Sequence, residues 1–215
     1  MKITKTQLKK FIKESVHEVI HEQIEGIDIK GHKNLKIISD HAFESLPEWF
    51  QRAETRDARV YLDSQKTLIW EEGTWLGGTW ENGNWAGGTW VDGEWKQGTW
   101  KKGTWMDGIW HNGVFKGTWM DGIWKSGIFE YGTWKNGTWK RGRWYDGVWH
   151  DGVWHEGMFN GGLWMDGLWL TGIWRNGTWK DGTWRNGEWR SGVWEAGVWK
   201  EGRWFDKKNI NPKQR

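Results

Sequence analysis

One feature of this 215-residue chain constrains its fold more than any other: from Trp70 to Trp204 an aromatic residue recurs every five positions. The spacing shortens once, by one residue, between Phe115 and Trp119. After the first aromatic, every later one has Gly two residues before it, so the unit is Gly-x-Trp-x-x. The aromatic positions that are not Trp are Phe115, Phe129 and Phe159. Such regularity predicts a repeat architecture built from copies of one small unit.

The remaining positions of the unit indicate a short strand followed by a turn. The residue before the aromatic is Thr, Val or Ile in 19 of 27 units, which favours extended backbone. The residue before Gly is often Asp or Asn, which tolerates tight-turn dihedral angles. Because side chains alternate along a strand, the aromatic residue faces away from its charged or polar neighbours.

Two architectures fit this unit: an antiparallel meander of hairpins and a parallel β-solenoid. A five-residue spacing places backbone groups of consecutive strands on the wrong sides for two-residue hairpins. In addition, every third corner is preferentially acidic or amidic, as at Asp92, Asp107, Asp121, Asn136, Asp151, Asp166 and Asp181. We therefore predict a mainly β solenoid whose favoured form is a three-sided coil of 15 residues.

The packing of the indoles leaves the number of sides open. A 15-residue coil has a perimeter of about 50 Å at about 3.3 Å per residue. Three inward indoles in each layer would crowd that triangle, since protein interiors are already close-packed. Either the coil has four sides, or part of the Trp set forms ladders on the outside.

The unit resembles the pentapeptide-repeat family, in which a small residue precedes a large central residue by two positions. Gly73 and Gly78 match the small position, and Trp75 and Trp80 match the central one, over residues 70–204. The resemblance implies a right-handed, four-sided β-helix, although Trp and the Asx-Gly corners depart from the family pattern. The chain is also distantly similar to MORN repeats, which would imply the antiparallel meander. Neither resemblance fixes a function.

The first 69 residues differ from the repeat and divide into two segments. Residues 1–26 contain an amphipathic helix over 4–25, and residues 27–69 are predicted to form a small α+β cap with a helix near 40–54. Within that helix Pro47 either starts the second half or breaks it. The tail, 205–215, is basic and expected to be disordered. The apolar stripe of the first helix, which we interpret as a docking face, consists of Leu8, Phe11, Ile12, Val16, Val19, Ile20 and Ile24.

The N-terminal helix resembles those of structural proteins of T4-like tailed phages. In that group the head-maturation protease cuts after Glu in a (Leu/Ile)-x-Glu tripeptide. Ile12-Lys13-Glu14 and Ile20-His21-Glu22 both match, so the resemblance implies processing after Glu14 and Glu22. It also implies capsid or other virion proteins as partners.

The sequence shows no catalytic constellation. The absence of Cys excludes thiol catalysis, disulfides and Cys-ligated metals. His150 and His155 are expected on adjacent sides of the coil, and His17 and His21 on an exposed helix face, so neither pair predicts a metal site. The corner Asp residues could bind Ca²⁺ as a ladder, but such residues more often hydrogen-bond their own turn. We predict no enzyme, no cofactor and no metal.

Charge and hydropathy narrow the partners. Residues 71–204 contain 15 basic and 16 acidic residues. This near-neutral charge argues against a nucleic-acid partner. No segment is long and apolar enough to span a membrane, and no secretory signal is present, so a virion or cytoplasmic location is expected. The sequence therefore predicts a scaffold that binds proteins and could form homo-oligomers. The alternative is a carbohydrate- or surface-binding module that uses exposed Trp.

Overall fold

The structure, a computed structural model, describes residues 26–38, 42–209 and 211–212. The helix predicted over 4–25 therefore lies outside the described residues. The segment before the repeat contains β1 (Ile27–Ile29), β2 (His32–Ile37), a 3₁₀ turn (Phe43–Ser45), α1 (Glu48–Gln51) and β3 (Glu54–Leu62).

The predicted helix near 40–54 is wrong in its extent, because in the part of it that the structure describes, residues 42–54, only the 3₁₀ turn and the four-residue α1 are helical. Pro47 explains the break. A proline disfavours helical backbone at the residue before it, and Leu46 is extended with φ −71° and ψ 155°. Helix α1 then starts directly after Pro47.

The repeat folds into a three-sided solenoid, whose sides we call faces A, B and C. Face A carries the first part of β4 (Leu68–Gly77), of β12 (Val114–Trp119) and of β14 (Ile128–Trp134), and face B carries the last part of these three strands. Face A also contains β6 (Asn84–Trp85), β9 (Thr99–Trp100), β16 (Arg143–Trp144), β19 (Met158–Phe159), β22 (Ile173–Trp174), β25 (Glu188–Trp189) and β28 (Arg203–Trp204). Face B also contains β7 (Thr89–Trp90), β10 (Thr104–Trp105), β17 (Val148–Trp149), β20 (Leu163–Trp164), β23 (Thr178–Trp179) and β26 (Val193–Trp194). Face C contains β5 (Thr79–Trp80), β8 (Glu94–Trp95), β11 (Ile109–Trp110), β13 (Ile123–Trp124), β15 (Thr138–Trp139), β18 (Val153–Trp154), β21 (Leu168–Trp169), β24 (Thr183–Trp184) and β27 (Val198–Trp199).

Each short strand pairs in parallel with the strand one full coil earlier. Trp90 is in register with Trp75 and with Trp105, 15 residues away in each direction. Backbone hydrogen bonds link each coil to the one before it, for example from Met106 N to Trp90 O at 2.8 Å. The predicted three-sided, 15-residue solenoid is confirmed. The antiparallel meander and the four-sided coil are both wrong, since the ladders join units three apart.

The repeat aromatics all point into the solenoid, and the expected crowding is relieved by ring geometry. Indoles stack face to face between coils, as in Trp85 and Trp100, whose ring centroids are 4.4 Å apart with planes 6° from parallel. Within a coil they meet edge to face, as in Trp95 and Trp100 at 5.8 Å and 73°. Both arrangements are favourable for aromatic pairs. The alternative that places part of the Trp set outside is wrong.

The glycine of each unit is required by the close approach of successive coils. At Gly162, φ is +104°, a backbone conformation that strains residues with a Cβ. A Cβ there would also lie 2.4 Å from Gly147 O in the preceding coil. By contrast, a Cβ on the neighbouring Gly161 would meet Tyr145 O at 3.4 Å, an ordinary contact.

The single spacing slip is absorbed at one corner between faces A and B. Strand β12 runs through this corner without a turn, and its pairing with β14 shifts register between Phe115 and Lys116. The Lys116 ammonium is paired with the Glu130 carboxylate and lies 5.6 Å from the centre of the Tyr131 ring. The missing residue thus leaves the stacking of Phe115 on Phe129 intact.

The N-terminal segment covers the first coil. Strand β3 pairs antiparallel with β4, with Val60 opposite Trp70. Trp49 in α1 packs edge to face on Trp80 at 5.0 Å, and Phe50 contacts the ring of Trp75 at 6.3 Å. Together these contacts bury the first indole on each of the three faces.

The C-terminal end is closed by residues 205–209, which the sequence assigns to a disordered tail. Trp204 Nε1 donates to Asp206 O at 2.8 Å, and Asn209 Nδ2 donates to Gly192 O at 3.1 Å. The Asp206 carboxylate accepts from the Lys208 N–H at 2.9 Å. This turn is ordered by polar contacts to the last coil, which hydropathy does not reveal.

Candidate interaction surfaces

The exposed side chains of the repeat form columns that run along the rod. Each strand directs one side chain outward before its aromatic residue and one after it, and the parallel register places equivalent residues of successive coils above one another. A surface position on this rod is therefore a ladder with a spacing of about 4.8 Å. The side chains that a partner can contact on the rod are therefore the members of these ladders.

The corner between faces B and C carries the acidic ladder, which we call the Asp edge. Each of its aspartates accepts a hydrogen bond from the next glycine, as in Asp107 Oδ1 and Gly108 N at 2.6 Å. This agrees with the predicted turn role. Within the described residues none of these aspartates forms an ion pair, and no group of three or more His, Cys, Asp or Glu side chains is placed to hold a metal ion. The Asp edge comprises Asp92, Asp107, Asp121, Asp151, Asp166 and Asp181, all exposed.

A basic ladder follows the aromatic column of face C. Leu170 interrupts it once. Lys96 Nζ lies 3.5 Å from His111 Nε2, and Lys140 Nζ lies 3.1 Å from His155 Nε2, which shows that successive members are in contact. The basic ladder consists of Lys96, His111, Lys125, Lys140, His155, Arg185 and Lys200.

The two histidines of this ladder are disfavoured as cations. Burial lowers the pKa of His111, and the neighbouring Lys96 and Lys125 ammonium groups lower it further. Burial and the adjacent Lys140 lower the pKa of His155 in the same way. The Glu94 and Glu81 carboxylates oppose the lowering of the pKa of His111, and Glu156 opposes that of His155, but neither outweighs the burial and the ammonium groups.

The histidines singled out in the sequence do not form a site. His150 follows the face B column and contacts Lys135 at 3.2 Å, whereas His155 belongs to face C. The other predicted residues lie outside the described residues: Glu14, Glu22, His17, His21 and the docking stripe Leu8, Phe11, Ile12, Val16, Val19, Ile20 and Ile24.

The repeat indoles offer no platform for a sugar ring. From Trp70 to Trp199 each is at most 8% exposed. Trp204 and Trp49, at the two ends, are half-buried against their neighbours. The carbohydrate-binding alternative, which depends on exposed Trp, therefore has none of the required indole faces along the rod.

The basic ladder is the surface feature that sequence reasoning missed. Net charge over the whole repeat is near zero, so a count of charged residues hides it. Reading every fifteenth residue from Lys96, with the spacing slip included, would have exposed it. The structure adds the decisive point, which is that these residues share one column of one face.

Comparison of the sequence with known protein families and with curated proteins gives no match. No helix in the described part of the chain is long and apolar enough to span a membrane. The three-sided coil differs from the four-sided helix that the pentapeptide-repeat resemblance implies.

Proposed function

We propose that this chain is a non-enzymatic structural and interaction scaffold, a component of a tailed-phage virion. The observation that carries the scaffold role is the set of three aromatic columns that fill the rod from end to end. Each stacked pair contributes about 0.5–1.5 kcal/mol beyond the area that it buries. In such a repeat, stability is a sum over neighbouring coils, so the surface residues can vary while the rod stays stiff.

The outward ladders supply the interaction role. A rigid rod that presents fixed columns of charge and apolar side chains keeps its binding groups preorganised, which reduces the entropic cost of association. The proposed partners are proteins, with capsid or other virion proteins favoured. The virion setting and the docking role of helix 4–25 are supported by the N-terminal resemblance alone.

Mass spectrometry of purified particles from a producing host tests the setting. We expect the chain in the particles with its N-terminus at Ser15 or Gln23, after cleavage behind Glu14 or Glu22. Combined Glu14→Ala and Glu22→Ala substitutions should block this processing, whereas Glu18→Ala, in the same segment but outside the tripeptide pattern, should not. Absence of the chain from the particles would overturn the virion proposal.

A further inference from the structure

Face C carries an outward apolar column with acidic residues along one side and basic residues along the other. This column, which we call the ridge, stands two residues after the Asp edge and two residues before the basic ladder. Asp121-Gly122-Ile123-Trp124-Lys125 is the pattern in full. Ile123 and Val198 are 39% and 47% exposed, so apolar surface is present along the ridge. The ridge consists of Ile109, Ile123, Thr138, Val153, Leu168, Thr183 and Val198, and the same column begins with Thr79 and Glu94 in the two coils nearest the N-terminus.

We propose that face C binds face C of a second copy of this chain, giving a parallel, in-register two-fold dimer. A two-fold axis that runs along the ridge, parallel to the rod, brings each ridge onto itself. The same operation places the Asp edge of one copy opposite the basic ladder of the other. Because both copies have the same coil spacing, Asp121 faces Lys125 of the second copy and Asp181 faces its Arg185 in matching layers.

The charge pattern selects this orientation over the antiparallel one. A two-fold axis across the rod would also bring the ridges together, but it would place acid against acid and base against base. Like charges opposite one another are unfavourable at an interface. The parallel dimer is isologous, so its contacts are satisfied within a closed pair.

Most charges of face C are available for such a contact. The exception is near its N-terminal end, where the Glu94 carboxylate pairs with Lys96 and lies 3.7 Å from His111 Nε2. The Asp edge and the basic ladder are separated by four residues of strand, about 13 Å, which is too far for direct pairing within one rod. Lys125, Lys140 and Arg185 form no ion pair with a described carboxylate, in contrast to Lys180, which is bound to Glu195 on face B.

Within the described repeat, the other faces lack this combination. The outward column before the aromatics of face B is mainly Thr, and the column after them begins with the apolar Leu76, Val91, Met106 and Met120. The corner that precedes face B mixes Glu72, Lys102, Tyr131 and Asp146. On face A the carboxylates Glu130 and Glu188 are already engaged by cations of the same rod.

The size of the surface fits a small, reversible dimer. The strip from the Asp edge to the basic ladder is about 13 Å wide and about 34 Å long over the seven coils from Asp92 to Asp181, on the order of 440 Å² on each rod. The total of about 900 Å² is in the range of weak, transient interfaces. Half of this strip is apolar or neutral, as in the core of such interfaces.

Charge-reversal variants of the full chain test the proposal by sedimentation equilibrium. One variant carries Lys125→Glu and Arg185→Glu, and the other carries Asp121→Lys and Asp181→Lys. Lys before a repeat glycine is compatible with the fold, because Lys102 occupies that position of the unit before Gly103, at a corner between faces A and B. We expect the unmodified chain to dimerise, each variant alone to associate at least about tenfold more weakly, and an equimolar mixture to recover heterodimer.

Site-specific oxidation tests the geometry. The chain has no native Cys, so Thr183→Cys introduces the only thiol. A parallel, in-register dimer brings residue 183 onto its own counterpart and should give a disulfide-linked dimer. Thr178→Cys is the matched control, because Thr178 has the same position on face B of the same coil.

Several results would overturn the proposal. These are a monomeric unmodified chain at low salt, dimers that both variants retain, and equal cross-linking of the two Cys variants. Dimerisation that appears only with added heparin would also overturn it, in favour of a polyanion site on the basic ladder. The dimer deepens the proposed scaffold function by naming its partner, but the two fail separately: a monomer found in particles removes the dimer, and a dimer absent from particles removes the virion role.

Discussion

The two ends of the rod are closed by different means, although the coils between them are nearly identical. At the N-terminal end, β3 and α1 bury Trp70, Trp75 and Trp80 completely. At the C-terminal end, a turn of a few residues leaves Trp194 and Trp199 at 5% and 8% exposure. The first closure is mainly apolar packing and strand pairing, and the second is mainly hydrogen bonds. A solenoid interior is thus self-supporting, whereas its ends need separate solutions.

A destabilising substitution in the middle of the rod should uncouple the unfolding of its two halves. Gly162→Ala forces a Cβ against Gly147 O at a positive φ, and we expect a loss of unfolding free energy on the order of 4 kcal/mol or more. The coils attached to the N-terminal cap should keep hydrogen-exchange protection, while those nearer the C-terminus lose it. Gly161→Ala is the matched control and should change stability little. Equal loss in both halves would contradict the difference between the ends.

Removing the apolar part of the N-terminal closure should cost more than a comparable loss at the other end. Phe50→Ala deletes a fully buried ring against Trp70 and Trp75, and we expect about 3–4 kcal/mol in denaturant unfolding. The Trp199 ring stacks on one side only, so Trp199→Ala should lower the free energy of unfolding by about 2 kcal/mol. A larger effect of the second substitution would invert the comparison.

Acid should loosen the N-terminal end first. Burial lowers the pKa of His32, which contacts Thr55 Oγ1 at 2.8 Å. The unfolded state therefore binds a proton before the folded state does, and stability present above about pH 6.5 is lost as the pH falls toward the folded pKa. Hydrogen exchange of β2 and β3 should rise in this window and become less pH-dependent in His32→Gln. His150→Gln, remote from the cap, should leave that response unchanged.

The C-terminal end should respond at lower pH and more weakly. Burial of Asp206 opposes ionisation, but hydrogen bonds from Asn209 and from the Lys208 N–H outweigh it and lower the pKa. Its contribution is present above about pH 4 and is lost as the pH falls further. Asp206→Asn should cost about 1 kcal/mol or less at pH 7. Tryptophan fluorescence should then show a small red shift from the last coil, and an unchanged spectrum would argue against this closure.

Local periodicity was sufficient to predict the solenoid and to favour a three-sided coil, but it left four sides open. The five-residue spacing argued against simple hairpins, and the Asp residues at every third corner favoured the 15-residue coil. Periodicity could not predict that three indoles fit inside each coil, because the fit depends on the mutual tilt of rings such as Trp95 and Trp100. For the helix near 40–54 the sequence left open whether Pro47 starts a second half or breaks the helix, and the structure shows the break.

The candidate surfaces were less accessible to sequence reasoning. The turn role of Asp107 and its equivalents follows from a contact with the next residue, so the sequence contained it. The basic ladder depends on which residues share a face one coil apart, as do the contacts of Lys96 with His111 and of Lys140 with His155. In the net charge of the whole repeat, these basic residues are cancelled by acidic residues elsewhere on the rod.

The sequence by itself determined the repeating unit and the wrapping around a common axis, because these follow from backbone geometry and local alternation. The tertiary structure alone decided that all repeat indoles point inward, how three indoles share one layer, how the two ends are closed and which charges stand together on face C. Those properties arise from contacts between residues about 15 positions apart or more. Such contacts exist only once successive coils are stacked in register.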